Sequence, residues 1–136
     1  MDDIYRDEVM EHYKNPRNFG SLEGADVVVE ESNASCGDEV RVSLKLGNNQ
    51  SPSIKHQVIK DIKFQGQGCA VSMAFTSLLI ERVKEEGWGV EELKDKSEED
   101  LVKLVGGDGV SPARQKCLRM GIKALRKAVA KISSNF

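Results

Sequence analysis

The chain has 136 residues and a net charge of −2, with 39% hydrophobic and 31% charged residues, so it reads as one globular domain over residues 1–136 with a single core. There is no overall basic excess to neutralise phosphates, which argues against a nucleic-acid partner. No apolar run approaches the roughly 20 residues needed to cross a bilayer, which argues against a membrane.

Met1-Asp2-Asp3-Ile4 is acidic with no apolar stretch behind it, so no cleaved signal is expected and the cytoplasm is the expected compartment. A first helix is predicted over Ile4 to Lys14, capped by Asp2 or Asp3. Tyr5, Val9 and His12/Tyr13 fall on one face, and Asn15-Pro16 ends the helix because a residue before proline disfavours helical geometry. Ala25 to Glu31 carries the β-branched run Val27-Val28-Val29 and is predicted as a strand. Val40, Val42, Leu44 and Leu46 alternate with Arg41, Ser43 and Lys45, the pattern of a strand with one wet face. Gly47-Asn48-Asn49 and Pro52 mark a turn region, and a third strand is predicted over Val58 to Gln65.

The remainder has helical spacing. Val71, Ala74, Phe75, Leu78, Leu79 and Val83 predict a helix directly after Cys69, stopped by Gly87. Ser97 caps a shorter helix whose first turn holds Glu98, Glu99 and Asp100 and which Gly106-Gly107 ends. Ser111-Pro112 starts a last helix with the core stripe Leu118, Ile122, Leu125, Val129 and Ile132 beside a line of small residues, Cys117, Gly121, Ala124 and Ala128. Strands first and helices after predict an α+β fold: a three-stranded antiparallel sheet with helices on one face. Basic residues crowd between Arg114 and Lys131, and the simplest reading is the solvated face of that helix.

Three cysteines cannot all pair in disulfides within the chain, and a reducing compartment points to metal or thiol chemistry. A buried cysteine is often just a small apolar side chain. Here each one sits at a junction: Cys36 in Asn33-Ala34-Ser35-Cys36-Gly37-Asp38, Cys69 in Gly66-Gln67-Gly68-Cys69-Ala70, and Cys117 in the second turn of the last helix. Gly37, Gly66 and Gly68 open conformations closed to other residues and allow close approach of the main chain. The helix start favours a thiolate at Cys69 by about 0.3–1 kcal/mol, and Arg114, Lys116 and Arg119 would act likewise at Cys117 if they pointed inward. Three thiolates leave a tetrahedral metal one ligand short, and Asp38 is the natural fourth. A carboxylate exchanges more readily than the all-Cys/His set of a permanent structural zinc, so the set suggests a site that releases something. Neither His12 nor His56 is adjacent to a cysteine.

The residues His12-Tyr13-Lys14-Asn15-Pro16-Arg17-Asn18-Phe19-Gly20, Cys36-Gly37-Asp38, Gly66-Gln67-Gly68-Cys69-Ala70-Val71-Ser72 and Pro112-Ala113-Arg114-Gln115-Lys116-Cys117 occur in this order over nearly the whole chain. In this the chain resembles the iron–sulfur scaffolds of the IscU/NifU N-terminal type, including their zinc-binding SufU branch. The resemblance implies a SufE/NifU-like α+β fold. It implies that Cys36, Cys69 and Cys117 receive sulfur and iron, with Asp38 keeping the cluster labile. It also implies a pyridoxal-phosphate cysteine desulfurase of the IscS/SufS/NifS type as sulfur donor, and acceptor apoproteins. Lys116 stands where IscU proteins carry histidine, and Ala34 where a proline is usual. The Leu-Pro-Pro-Val-Lys segment read by the dedicated Hsp70-type chaperone is replaced by Gly109-Val110-Ser111-Pro112, which counts against that partner. Lys116, the missing chaperone segment and Arg114 lean toward SufU, while the 48-residue step from Cys69 to Cys117 is short for the SufU insertion.

The leading expectation is a non-enzymatic scaffold that builds a transferable [2Fe–2S] cluster, with Zn²⁺ or iron on Cys36, Asp38, Cys69 and Cys117. Cys117 is the expected first sulfur acceptor, because a helix-borne ligand can detach without unravelling a loop. The alternatives are a zinc-dependent sulfur carrier that never holds a cluster, and a structural zinc module for protein contacts. A cysteine hydrolase lacks a convincing Cys–His pairing in the sequence.

Overall fold

The computed structural model describes residues 3–33, 37–47 and 58–134. Cys36, Ala34, His56 and the turn expected around Asn48 to Pro52 lie outside them. The elements run α1 (Asp3–Lys14), β1 (Val27–Asn33), β2 (Asp38–Leu46), β3 (Ile59–Gln67), α2 (Ala70–Glu86), α3 (Val90–Lys94), α4 (Glu98–Leu104) and α5 (Pro112–Ser134), with a 3₁₀ turn at Gly107–Gly109. Asp3 is the first residue of α1 rather than its cap.

The strands form an antiparallel sheet in the order β1-β2-β3. The register explains the core. Val27 lies opposite Leu44 and Val29 opposite Val42, while Val42 faces Phe64 and Leu44 faces Ile62. All six are buried on one side of the sheet, and burying one such side chain contributes roughly 1.5–3 kcal/mol. That apolar face meets α5 across β1 and β2, and α2 along β3. The α5 stripe of Leu118, Ile122, Leu125, Val129 and Ile132 is buried throughout. The exposed face is polar, with Glu30 paired to Arg41 across the strands. The outer edge of β3 is covered: Phe64 donates its N–H to Asn18 O (2.9 Å) and accepts from Gly20 N–H (2.8 Å).

Two glycines show how the ends are made. Gly87 takes the left-handed conformation (φ 69°) and closes α2, donating its N–H to Lys84 O. Gly121 brings α5 against α2, since a Cβ there would lie 3.0 Å from Thr76 Cβ and closer still to its hydroxyl. The short helix α3 was not expected from the sequence. It is one turn, capped from Gly89 and anchored by buried Val90 and Leu93, too brief to show a helical period. The basic residues of α5 are a solvated face, as expected: Lys123, Arg126 and Lys127 are exposed and line a cleft of about 470 Å³ with Lys94, where Lys127 pairs with Glu31 at 2.6 Å.

His12 ties α1 to α2. Its Nδ1 lies 2.7 Å from Ser77 Oγ and its Nε2 3.1 Å from Glu81 Oε2, and the ring is buried. The Ser77 hydroxyl also accepts the Arg17 N–H at 2.8 Å. This fits a neutral imidazole that accepts at Nδ1 and donates from Nε2 to Glu81. Burial lowers the His12 pKa below its usual 6.5, against the pull of Glu81. Arg17 and Arg82 push the same way as burial, and Glu8 opposes it. The unfolded chain therefore takes up this proton at higher pH than the folded one, so stability is lost as pH falls from about 6.5 through the folded value. Denaturant midpoints from pH 7.5 to 5.5 should fall more for the native chain than for His12→Gln. Equal slopes would show that His12 carries none of this pH dependence.

Candidate metal centre

Three elements bring the donors together. Asp38 opens β2 and points into the core side, 4% exposed. Cys69 is the N-cap of α2, in extended geometry (φ −71°, ψ 161°), and its sulfur accepts the Ser72 N–H at 3.4 Å. Cys117 stands in the second turn of α5. One ligand atom each from Asp38, Cys69 and Cys117 lie within 4.8 Å of one another, and neither cysteine is in a disulfide. The sequence named these three together, and the structure places them together. Cys36 lies outside the described residues, two positions before Asp38.

The Asp38 carboxylate is divided between two tasks. Oδ1 accepts the Cys69 N–H at 3.2 Å, bridging the start of β2 to the start of α2. Oδ2 is buried and has no hydrogen-bond partner. A carboxylate oxygen left so beside two thiols is costly unless a cation takes it up. With sulfur donors alongside, the set suits Zn²⁺ or iron. Neither α2 nor α5 has an acidic residue in its first turn, so the positive ends of both helices are uncompensated by their own side chains.

The glycines act differently from one another. Gly37 takes a left-handed conformation (φ 74°), as its turn requires. Gly66 and Gly68 have no positive φ; they are needed for space. A Cβ at Gly66 would collide with the Glu39 carbonyl of the neighbouring strand, and one at Gly68 would lie 2.6 Å from Asp38 Oδ1. The close approach is thus to the protein itself. Arg119 is held by Glu98 and Glu99 at 2.6 and 2.7 Å, and Arg114 and Lys116 are exposed. Two residues escaped sequence reasoning: Gly68 as the neighbour of Asp38, and Ser72, a fully buried serine three positions after Cys69. A polar residue inside the apolar spacing of α2 was the available signal for the latter.

A three-stranded antiparallel sheet covered by α2 and α5, with cysteines near the helix starts, defines an α+β protein with a candidate metal centre. The NifU-like N terminal domain matches residues 4–135, and the chain belongs to that family. It is 37% identical to the zinc-dependent sulfurtransferase SufU of Bacillus subtilis (strain 168), over 96% of this chain and 92% of the relative. It is 32% identical to the iron–sulfur cluster assembly scaffold protein IscU of Thermotoga maritima, over 96% of this chain and 95% of the relative. Among solved structures it resembles FiSufU of Fervidobacterium islandicum AW-1, a candidate iron–sulfur cluster assembly scaffold of the SUF system, with TM-score 0.63, 27% identity, and 93% and 97% of the two chains covered. The N-terminal NifU-like protein of Brucella abortus shares the fold, with TM-score 0.72 at 21% identity over 99% of this chain and 98% of that one. No helix among the described residues is long and apolar enough to cross a membrane.

Proposed function

We propose that Cys36, Asp38, Cys69 and Cys117 form one metal- and sulfur-binding site, and that the chain is an iron–sulfur cluster assembly scaffold. It accepts sulfur from a cysteine desulfurase, binds iron and builds a [2Fe–2S] cluster for acceptor apoproteins. The observation that carries this reading is the convergence of Asp38, Cys69 and Cys117 ligand atoms within 4.8 Å. Iron and sulfur are here the cargo. The Cys117 thiolate attacks the outer sulfur of the donor's persulfide. The donor S–S bond breaks, the donor cysteine leaves as thiolate, and Cys117 holds the persulfide with no net redox change. Building a cluster from that sulfur then takes two electrons per sulfur from an external reductant. When zinc is bound at the same residues, it supplies a positive charge that keeps the thiols deprotonated.

Anaerobic reconstitution with ferrous iron, sulfide and reductant tests the scaffold. The chain should gain visible sulfur-to-iron absorption, and a folded chain that gains none contradicts the reading. Asp38→Ala should hold the cluster longer and slow its transfer to an acceptor apoprotein several-fold. Unchanged transfer removes Asp38 from the mechanism.

The likeness to a zinc-dependent sulfurtransferase favours a second reading, a zinc form that relays persulfide sulfur without holding a cluster. Desulfurase turnover separates the two. Strong stimulation by the zinc form, with no stable cluster on reconstitution, favours the relay.

A further inference from the structure

Five side-chain atoms among the described residues are buried without a hydrogen-bond partner: Arg17 Nη1, Glu31 Oε2, Asp38 Oδ2, Ser72 Oγ and Glu81 Oε2. Three of these belong to side chains that already have a polar partner. Glu31 Oε2 is 2.6 Å from Lys127, Glu81 Oε2 is 3.1 Å from the His12 ring nitrogen, and the Arg17 guanidinium contacts Glu11 at 3.2 Å. The other two, Asp38 Oδ2 and Ser72 Oγ, belong to residues that each hydrogen-bond Cys69, through Asp38 Oδ1 and the Ser72 N–H.

The position of Ser72 follows from the helix crossing. Thr76 on α2 meets Gly121 on α5, and Cys69 on α2 lies beside Cys117 on α5. The two helices therefore start from the site and run the same way. Ser72 is one turn before Thr76 on the same face, and one turn after Cys69. It is 0% exposed, between the Thr76–Gly121 crossing and the metal donors. Its own N–H already reaches the Cys69 sulfur at 3.4 Å. A hydroxyl sealed here without a partner loses its hydration for nothing in the metal-free chain.

We propose that the Ser72 hydroxyl is a positioning donor for the metal-loaded site, turning about its Cα–Cβ bond to hydrogen-bond the Cys69 thiolate beside the Ser72 N–H. The inference rests on the metal-site reading above. Two donors on one sulfur spread its charge and fix its direction, as outer partners of metal ligands do. The cost of the lone hydroxyl is carried by the metal-free chain and recovered on loading, so the residue couples metal binding to the stability of the start of α2.

The test is Ser72→Ala in the full chain, measured by competition for zinc, by thermal melting of the metal-free protein, and by the visible spectrum of the cobalt-loaded protein. The expected result has opposite signs. Zinc affinity falls about tenfold or more, while the metal-free chain melts at the same or a higher temperature. The sulfur-to-cobalt absorption moves to longer wavelength, because a thiolate with one fewer hydrogen bond gives up its electrons more readily. Ser72→Thr, which keeps the hydroxyl, should bind zinc more tightly than Ser72→Ala. Zinc affinity within twofold of the native chain, or an unshifted cobalt band, overturns the proposal. A native chain that binds no zinc overturns the metal-site reading instead, so the two failures are distinct.

Discussion

Cys69→Ser leaves the metal-free chain as stable as the native one and removes tight zinc binding, whereas Cys69→Ala loses both. The difference comes from the two roles of one side chain. Cys69 is the N-cap of α2, and its sulfur accepts the Ser72 N–H at 3.4 Å. Serine reaches the same N–H with an oxygen, while alanine leaves the donor unpaired; replacing an oxygen cap by alanine costs about 0.5–2 kcal/mol, and loss of this sulfur cap acts in the same direction. The metal, by contrast, needs the thiolate. Oxygen in its place is a weaker ligand for zinc and breaks the sulfur set that holds iron–sulfur clusters. Zinc affinity should drop by at least about a hundredfold in both variants, beyond the 10–100-fold typical of outer partners. Urea midpoints and zinc competition on the same samples check this. Native-like zinc affinity in Cys69→Ser would place the metal elsewhere.

Gly68→Ala produces the second large effect, and it acts through Asp38. The added methyl would lie 2.6 Å from Oδ1 and 2.7 Å from the carboxyl carbon, with the Asp38 Cβ at 3.0 Å. The whole Asp38 side chain must move, and it then releases the Cys69 N–H it accepts at 3.2 Å. Overpacking of this kind costs about 1–3 kcal/mol, and a displaced carboxylate no longer meets the two sulfurs. Stability and zinc affinity should therefore fall together. Gly68→Ala/Asp38→Gly, which removes the obstructing carboxylate, should recover part of the stability but not the affinity. Recovery of both would show that Asp38 is no ligand.

These two residues also mark how far the sequence could be read. The sheet and the long helices were legible because their periods are clean: Val40, Val42 and Leu44 alternate along β2, and the α5 stripe repeats over about four turns. The convergence of Asp38, Cys69 and Cys117 was legible because each stands at a junction between elements, where chain ends meet. Gly68 was legible as a glycine beside a cysteine but not as the neighbour of Asp38, a contact across 30 positions that only the pairing of β2 with β3 creates. Arg114, Lys116 and Arg119 are close to Cys117 in sequence, but that Glu98 and Glu99 hold Arg119 depends on where α4 packs, which the sequence does not show. The covering of the β3 edge by Asn18 to Gly20 and the single turn of α3 had no periodic signal at all.

His12 is the counterpart to these metal donors. It opens the first of the motifs that carry the resemblance, yet it bonds Ser77 and Glu81 and fastens α1 to α2. Among the described residues the candidate metal donors lie at one end of the molecule, where α2 and α5 begin.

The most direct test of the site is analysis of zinc, iron and acid-labile sulfide in the native chain purified without oxygen, read with its visible spectrum. Either one zinc per chain without sulfide, or two irons per chain with two acid-labile sulfides and visible absorption, is the predicted result. A folded chain with neither metal above trace amounts, and unable to retain zinc added back, would contradict a metal centre at Cys36, Asp38, Cys69 and Cys117.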